Sequence, residues 1–180
     1  MRKNSSLSKT RILTVCALLT AMAIVMARIL GIPLSESSRI SFESIPIFLA
    51  GMLFGPLAGA LVGFASDFLG SLMMFGFNPF LCIPPILCGI CGGLFRPMLR
   101  EKNEIWRIAL AYLPYIVLGA WLWQSAALAW FFGGEALVAK QAFFVTKIVE
   151  RGIQFTAVFV IDVLVVYFLC KSNLLKKFQT

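Results

Sequence analysis

Six apolar runs, at about residues 12–30, 42–54, 56–75, 83–99, 107–131 and 143–170, occupy most of this 180-residue chain, separated by glycine, proline or charge. A hydrocarbon core ~30 Å thick takes about 20 apolar residues per helical crossing, which leaves room for roughly six spans and no soluble domain. With 60% hydrophobic residues and a mean hydropathy of +0.91, the chain reads as an all-α integral membrane protein, residues 1–180 forming one six-helix domain. The second run is too short to span alone. Gly55-Pro56 divides it from the third, and a proline suits the first turn of a helix, so a tight helical hairpin is expected there. Pro84-Pro85 should start the fourth helix in the same way.

The basic residues orient the spans. Arg2, Lys3, Lys9 and Arg11 precede the first; Arg96, Arg100, Lys102 and Arg107 lie between the fourth and fifth; Lys171, Lys176 and Lys177 follow the sixth. Six crossings put all three clusters on one face, the cytoplasmic one by the positive-inside rule, with both termini inside. Most of the +8 net charge is thus topology rather than a nucleic-acid footprint. The N-terminal segment has a basic start and an apolar middle, as a secretory signal does, but is expected to remain as the first span. Arg28, Arg39, Lys140, Lys147 and Arg151 fall in the outer half, where they can hold something anionic.

The last run carries the strongest functional signal. Residues Lys147, Glu150, Arg151, Gln154 and Asp162 interrupt an apolar segment. At 100° per residue, with Lys147 at the origin, Glu150 falls at about 300°, Arg151 at about 40°, Gln154 at about 340°, Val158 at about 20° and Asp162 at about 60°. All the polar groups therefore share one stripe, which must face protein or water, because an ion facing lipid near the bilayer centre costs at least ~2.5 kcal/mol. Two readings follow: a solute-lined cavity, or internal ion pairs such as Glu150 with Lys147 or Arg151 that hold helices together.

Other helices supply weaker constellations. In the fifth, Tyr112, Tyr115, Gly119, Trp123 and Trp130 fall within a sector of about 80°; Trp123 is the candidate for stacking on a planar ring, Trp130 an interfacial anchor. In the third, Gly55, Gly59, Gly63 and Asp67 recur every four residues, a face that lets a neighbouring backbone approach. Asp67 needs an Arg, Lys or hydroxyl partner and can orient a basic ligand-binding residue or cap a helix. Ala17 with Ala21, and Ala23 with Ala27, are small-xxx-small pairs on the first helix.

Several classes are excluded or weakened. No G-x-x-x-x-G-K-[ST] loop is present for nucleotide hydrolysis. The chain contains no His, and its acidic groups are scattered, so an intramembrane enzyme is disfavoured. Cys88 and Cys91 form a CxxC inside an apolar run, better read as packing than as a metal or redox site. An autonomous secondary carrier would show an internal repeat with broken helices, which is not visible.

The run RISFESIPIFLAGMLFGPLAGALVGFASDFLGSLM, residues 39–73, resembles the S components of energy-coupling factor (ECF) vitamin transporters, especially the folate type. The R-I-S-F lead into the second helix, the G-M-L-F-G-P-L-A-G hairpin and the D-F-L-G ending the third carry the resemblance, and chain length, six spans and Ala17-x-x-x-Ala21 agree with it. It implies a subunit without catalysis or cofactor in a bacterial plasma membrane. Such a subunit captures one micronutrient from outside, and a membrane T component with two ATPase subunits energises uptake. On that model residues 31–41 form a lid, Ala17 and Ala21 are docking residues, and Arg28, Arg39, Trp123, Lys147, Glu150, Arg151 and Gln154 are candidates for substrate contact, with Asp67 and Asp162 as structural or orienting acids. Folate fits these residues: its glutamate tail offers carboxylates, for which Arg39 is the first choice by its bidentate geometry, and its flat pterin suits an aromatic face. Pantothenate, anionic but without a ring, is the main rival.

Overall fold

The computed structural model describes residues 9–35, 38–74, 78–101, 104–132 and 137–172. Helix α1 (Lys9–Arg28) leads into an antiparallel ribbon of β1 (Ile32–Ser35) and β2 (Ser38–Ile40), paired Ile32 to Ile40 and Pro33 to Arg39. There follow α2 (Ser44–Phe54), α3 (Pro56–Met74), a 3₁₀ turn at Pro79–Cys82, α4 (Ile83–Leu94) and the short α5 (Arg96–Glu101). Helix α6 (Ile105–Pro114) continues through a π-helical stretch, Tyr115–Trp123, into α7 (Gln124–Phe132), and α8 (Leu137–Lys171) ends the described chain. The described residues are thus all-helical apart from the ribbon and the connecting turns.

Among the described residues, four helices are long and apolar enough to cross a membrane: Lys9–Arg28, Pro56–Met73, Ile105–Phe131 and Val138–Lys171. The other two apolar segments, Ser44–Phe54 and Pro79–Leu94, fall short of a full crossing. The expected fourth helix, about 83–99, stops at Leu94. The chain turns at Phe95, whose N–H returns to the Cys91 carbonyl at 3.1 Å, and α5 starts afresh.

The α2–α3 hairpin forms where the sequence places it. Gly55 has φ +105°, a conformation that L side chains rarely adopt, and Pro56 occupies the first turn of α3. Beyond the hairpin, glycines let three backbones touch. A Cβ on Gly59 would meet the Gly89 carbonyl, and one on Gly63 would meet that of Pro85. A little further round α4, Gly92 leaves room for the Phe48 carbonyl of α2. Helices α2, α3 and α4 therefore form the most tightly packed unit of the bundle, with α2 at its centre, buried from Ser44 to Leu53.

Helix α8 is tied to this unit by a buried polar contact. The Ser44 hydroxyl donates to the Asp162 carboxylate, Asp162 is fully buried, and its Oδ1 has no hydrogen-bond partner among the described residues. Tyr112 stacks on Phe48 at 4.1 Å between centroids and donates to the Ser44 carbonyl at 3.4 Å. Ser44→Ala would leave the buried carboxyl group without its hydroxyl donor, an expected loss of about 1–3 kcal/mol. A lowered thermal unfolding midpoint in detergent checks this. An unchanged midpoint would mean that the contact does not hold α2 to α8.

Candidate functional site

The polar stripe of α8 faces protein. Lys147, Arg151, Gln154, Val158 and Asp162 are all buried, while Val145, Val149, Ile153 and Val160, on other faces of the same helix, are exposed. Helix α8 is an uninterrupted α-helix over 35 residues, so 100° arithmetic holds along its length.

The stripe divides into groups with different partners. Lys147 Nζ lies 2.5 Å from Glu150 Oε2, so that pair is an internal ion bridge. Arg151 is only 5% exposed. Its guanidinium lies 5.7 Å from the Phe155 ring; among the described residues its Nε has no hydrogen-bond partner and no carboxylate lies within ion-pairing distance of it. A buried cation in this position is costly unless an anion joins it. Asp162 sits 11 residues below Arg151, about 16 Å along the axis, and belongs to the core contact with Ser44 rather than to the cationic end.

Arg28 and Asp67 meet each other. Arg28 Nη2 lies 3.7 Å from Asp67 Oδ1 and donates to Ser71 Oγ at 3.2 Å, and the guanidinium covers Gly70, where a Cβ would stand 2.7 Å from Nε. Asp67 also accepts from the Cys82 thiol at 2.8 Å. The acid therefore orients the base at the point where α1 gives way to the ribbon. Arg39 is placed on β2 opposite Pro33, and β2 reaches α8; the Arg39 side chain lies outside the described residues.

The aromatic face of the fifth helix divides into a buried and an exposed part. Tyr112, Tyr115 and Gly119 are buried together, but Trp123 is 40% exposed and Trp130 70% exposed. The reason is the π-helical stretch from Tyr115 to Trp123. Its i→i+5 hydrogen bonding makes each turn wider than α-helical geometry, so residues beyond it rotate out of the expected sector. Trp123 instead donates to the Phe80 carbonyl at 2.9 Å, and the Lys140 ammonium lies 4.5 Å from the Trp130 ring. The tryptophan that turns toward α8 is Trp121, whose indole donates to the Ile148 carbonyl at 2.9 Å and lies over Gly152. Ser125, one turn further along, is completely buried. Neither residue carries a distinguishing signal in the sequence unless the π stretch is known.

The two small-residue pairs of α1 separate. Ala23 and Ala27 are buried and pack inside the bundle, whereas Ala17 and Ala21 are exposed beside Leu18, Met22 and Val25. All five cysteines are free thiols, Cys88 and Cys91 are buried in the core cluster, and the described residues contain no His, Cys, Asp and Glu grouping able to hold a metal.

Comparison with known proteins gives the family. The family model described as ECF-type riboflavin transporter, S component, matches residues 7–176. A curated relative, the folate transporter FolT of Clostridium novyi (strain NT), is 28% identical over 152 residues, covering 83% of this chain and 84% of the relative. Among solved structures, that of FolT bound with folic acid superposes with a TM-score of 0.73 at 26% identity over 89% of this chain and 92% of the other. ThiT from Listeria monocytogenes, with a TM-score of 0.68 at 20% identity over 93% and 96% of the two chains, shares the fold. Membership makes this a multi-pass membrane protein and a transporter substrate-binding subunit rather than an enzyme. With its glycine-packed hairpin, its buried cationic stripe on α8 and a family match over nearly its whole length, the chain belongs to the S components of ECF-type transporters.

Proposed function

We propose that this S component captures a folate from outside a bacterial cell and delivers it for ATP-driven uptake. The observation that carries the reading is Arg151: a buried guanidinium with no carboxylate in pairing distance among the described residues is suited to an anionic ligand. Riboflavin, the vitamin in the matched family's description, is uncharged at neutral pH and has no carboxylate to offer; folic acid, bound in a structural neighbour, has two on its glutamate tail. Arg151 and Lys147 would receive the tail, with Arg39 and Gln154 beside them, Glu150 holding Lys147 and the Asp67-oriented Arg28 at the lid hinge. Trp121 joins Trp123 as a candidate for the ring. Residues 31–41 serve as the lid.

In this reading all six apolar segments cross or enter the bilayer, with both termini cytoplasmic. A membrane T component docks on the exposed Ala17 and Ala21 face of α1, and two ATPase subunits energise release, since the chain has no phosphate-binding loop of its own. The test is a titration of the purified protein in detergent, following quenching of its four tryptophans, with folic acid, riboflavin and pantothenate. Saturable nanomolar binding of folic acid alone is the expected result. Tight binding of riboflavin or pantothenate instead would overturn the folate assignment while leaving the family intact.

A further inference from the structure

Ser125 is anomalous among the hydroxyls of this bundle. Thr14, Thr20, Thr146 and Thr156 each bond the carbonyl four residues back, and Ser66 bonds the Gly63 carbonyl. This is how a helix embedded in an apolar medium satisfies a hydroxyl. Ser125 is 0% exposed, and its Oγ has no partner at all among the described residues.

Its position is defined by the helices around it. The bond from Trp121 Nε1 to the Ile148 carbonyl, together with the Lys140 ammonium over the Trp130 ring, sets α8 antiparallel against the α6–α7 segment. One turn on from Trp121 is Ser125; one turn back from Ile148 is Phe144, with Lys147 adjoining Ile148. Each step of four residues is about 6 Å along its axis. Ser125 therefore stands on the α8-facing side of α7, within a turn of the level of Lys147 and next to the cationic end of the stripe. On α8 itself the charges at that end sum to a single positive one, Lys147 and Arg151 against Glu150. That end is matched to one carboxylate, and a hydroxyl with a free proton is a good third donor for it.

Building on the folate reading, we propose that Ser125 is a specificity-determining residue that donates its hydroxyl to one carboxylate of the ligand's tail, completing a seat made with Lys147 and Arg151. The seat selects a free acid over an ester or amide of the same vitamin.

The test compares wild type, Ser125→Ala and Ser125→Thr with two probes, folic acid and its dimethyl ester, by tryptophan quenching, with thermal unfolding of each ligand-free protein as a folding control. Ser125→Ala should lower affinity for folic acid about tenfold or more, as loss of a hydrogen bond to a charged group does. It should leave affinity for the ester unchanged, and Ser125→Thr should retain most of the wild-type preference. The ligand-free unfolding midpoint of Ser125→Ala should not fall, because the hydroxyl it removes has no partner to lose. Equal weakening for both probes, or no weakening for folic acid, would overturn the proposal alone. Failure of the wild type to bind folic acid would overturn the folate reading and this inference with it.

Discussion

Arg151→Ala is expected to weaken folic acid binding by about 2–4 kcal/mol, roughly 30- to 700-fold, while leaving the ligand-free protein as stable as before or more so. The two halves of this expectation have one cause. Arg151 is buried, lies over the Phe155 ring at 5.7 Å and has no carboxylate in pairing distance among the described residues, so the ligand-free state bears the cost of desolvating a cation with only the longer-range attraction of Glu150 to offset it. A ligand carboxylate supplies a close one. Truncation removes the cost and the benefit together, which separates binding from folding. Arg151→Lys keeps the charge but loses the planar fork of donors and should fall between the two. The checks are the folic acid dissociation constant and the thermal unfolding midpoint of the ligand-free protein. A variant that loses both affinity and stability would show that Arg151 holds helices together and that the bridge from Lys147 to Glu150 is representative of the whole stripe.

The contrast between α8 and the α6–α7 segment explains what could be read from the sequence. On α8 the spacing of Lys147, Arg151, Gln154, Val158 and Asp162 was enough, because a straight α-helix preserves the angular register from end to end. On the α6–α7 segment the same arithmetic groups Tyr112 and Tyr115, which are buried, with Trp123 and Trp130, which are exposed, and the π stretch lies between the two pairs. Nothing in YIVLGAWLW announces a π stretch, and the segment is seen to pack against α4 and α8 only once the chain is folded. The sites it repositions, Trp121 and Ser125, were hidden for the same reason. The Gly55-Pro56 hairpin was legible because only glycine suits its backbone and a proline marks the next helix. Asp67 was legible as an acid needing a partner, but Arg28 lies 39 positions earlier, and only the tertiary fold selects it. Folding also decided which alanine pair of α1 packs inside, Ala23 with Ala27, and which remains open, Ala17 with Ala21.

Gly89→Ala is expected to be the most damaging single methyl group that can be added to this protein. The new Cβ would fall on the Gly59 carbonyl, with the backbone N of Ala60 2.8 Å away. These obstacles are main-chain atoms of a helix that is itself pressed against α2, so no rotamer change relieves the clash. Gly51 of α2 and Gly93, one turn on from Gly89 along the same face of α4, belong to the same crossing, a Cβ on Gly51 lying 2.8 Å from the Gly93 backbone N. Separating α3 from α4 would therefore also loosen α2 and, through Ser44 and Asp162, its hold on α8. The cost should reach or exceed about 3 kcal/mol, the upper end of overpacking penalties, and appear as lost yield of monodisperse protein and a sharply lower unfolding midpoint in detergent. Gly152→Ala is the matched control. Its Cβ would meet Trp121 at 3.5 Å, an ordinary contact, and alanine is favoured over glycine in a helix by up to about 1 kcal/mol, so that variant should unfold at the wild-type temperature or above it. If both variants behave alike, close backbone approach is not what organises the bundle. If they diverge as expected, the glycine crossing is the rigid base against which the cationic stripe of α8 is held.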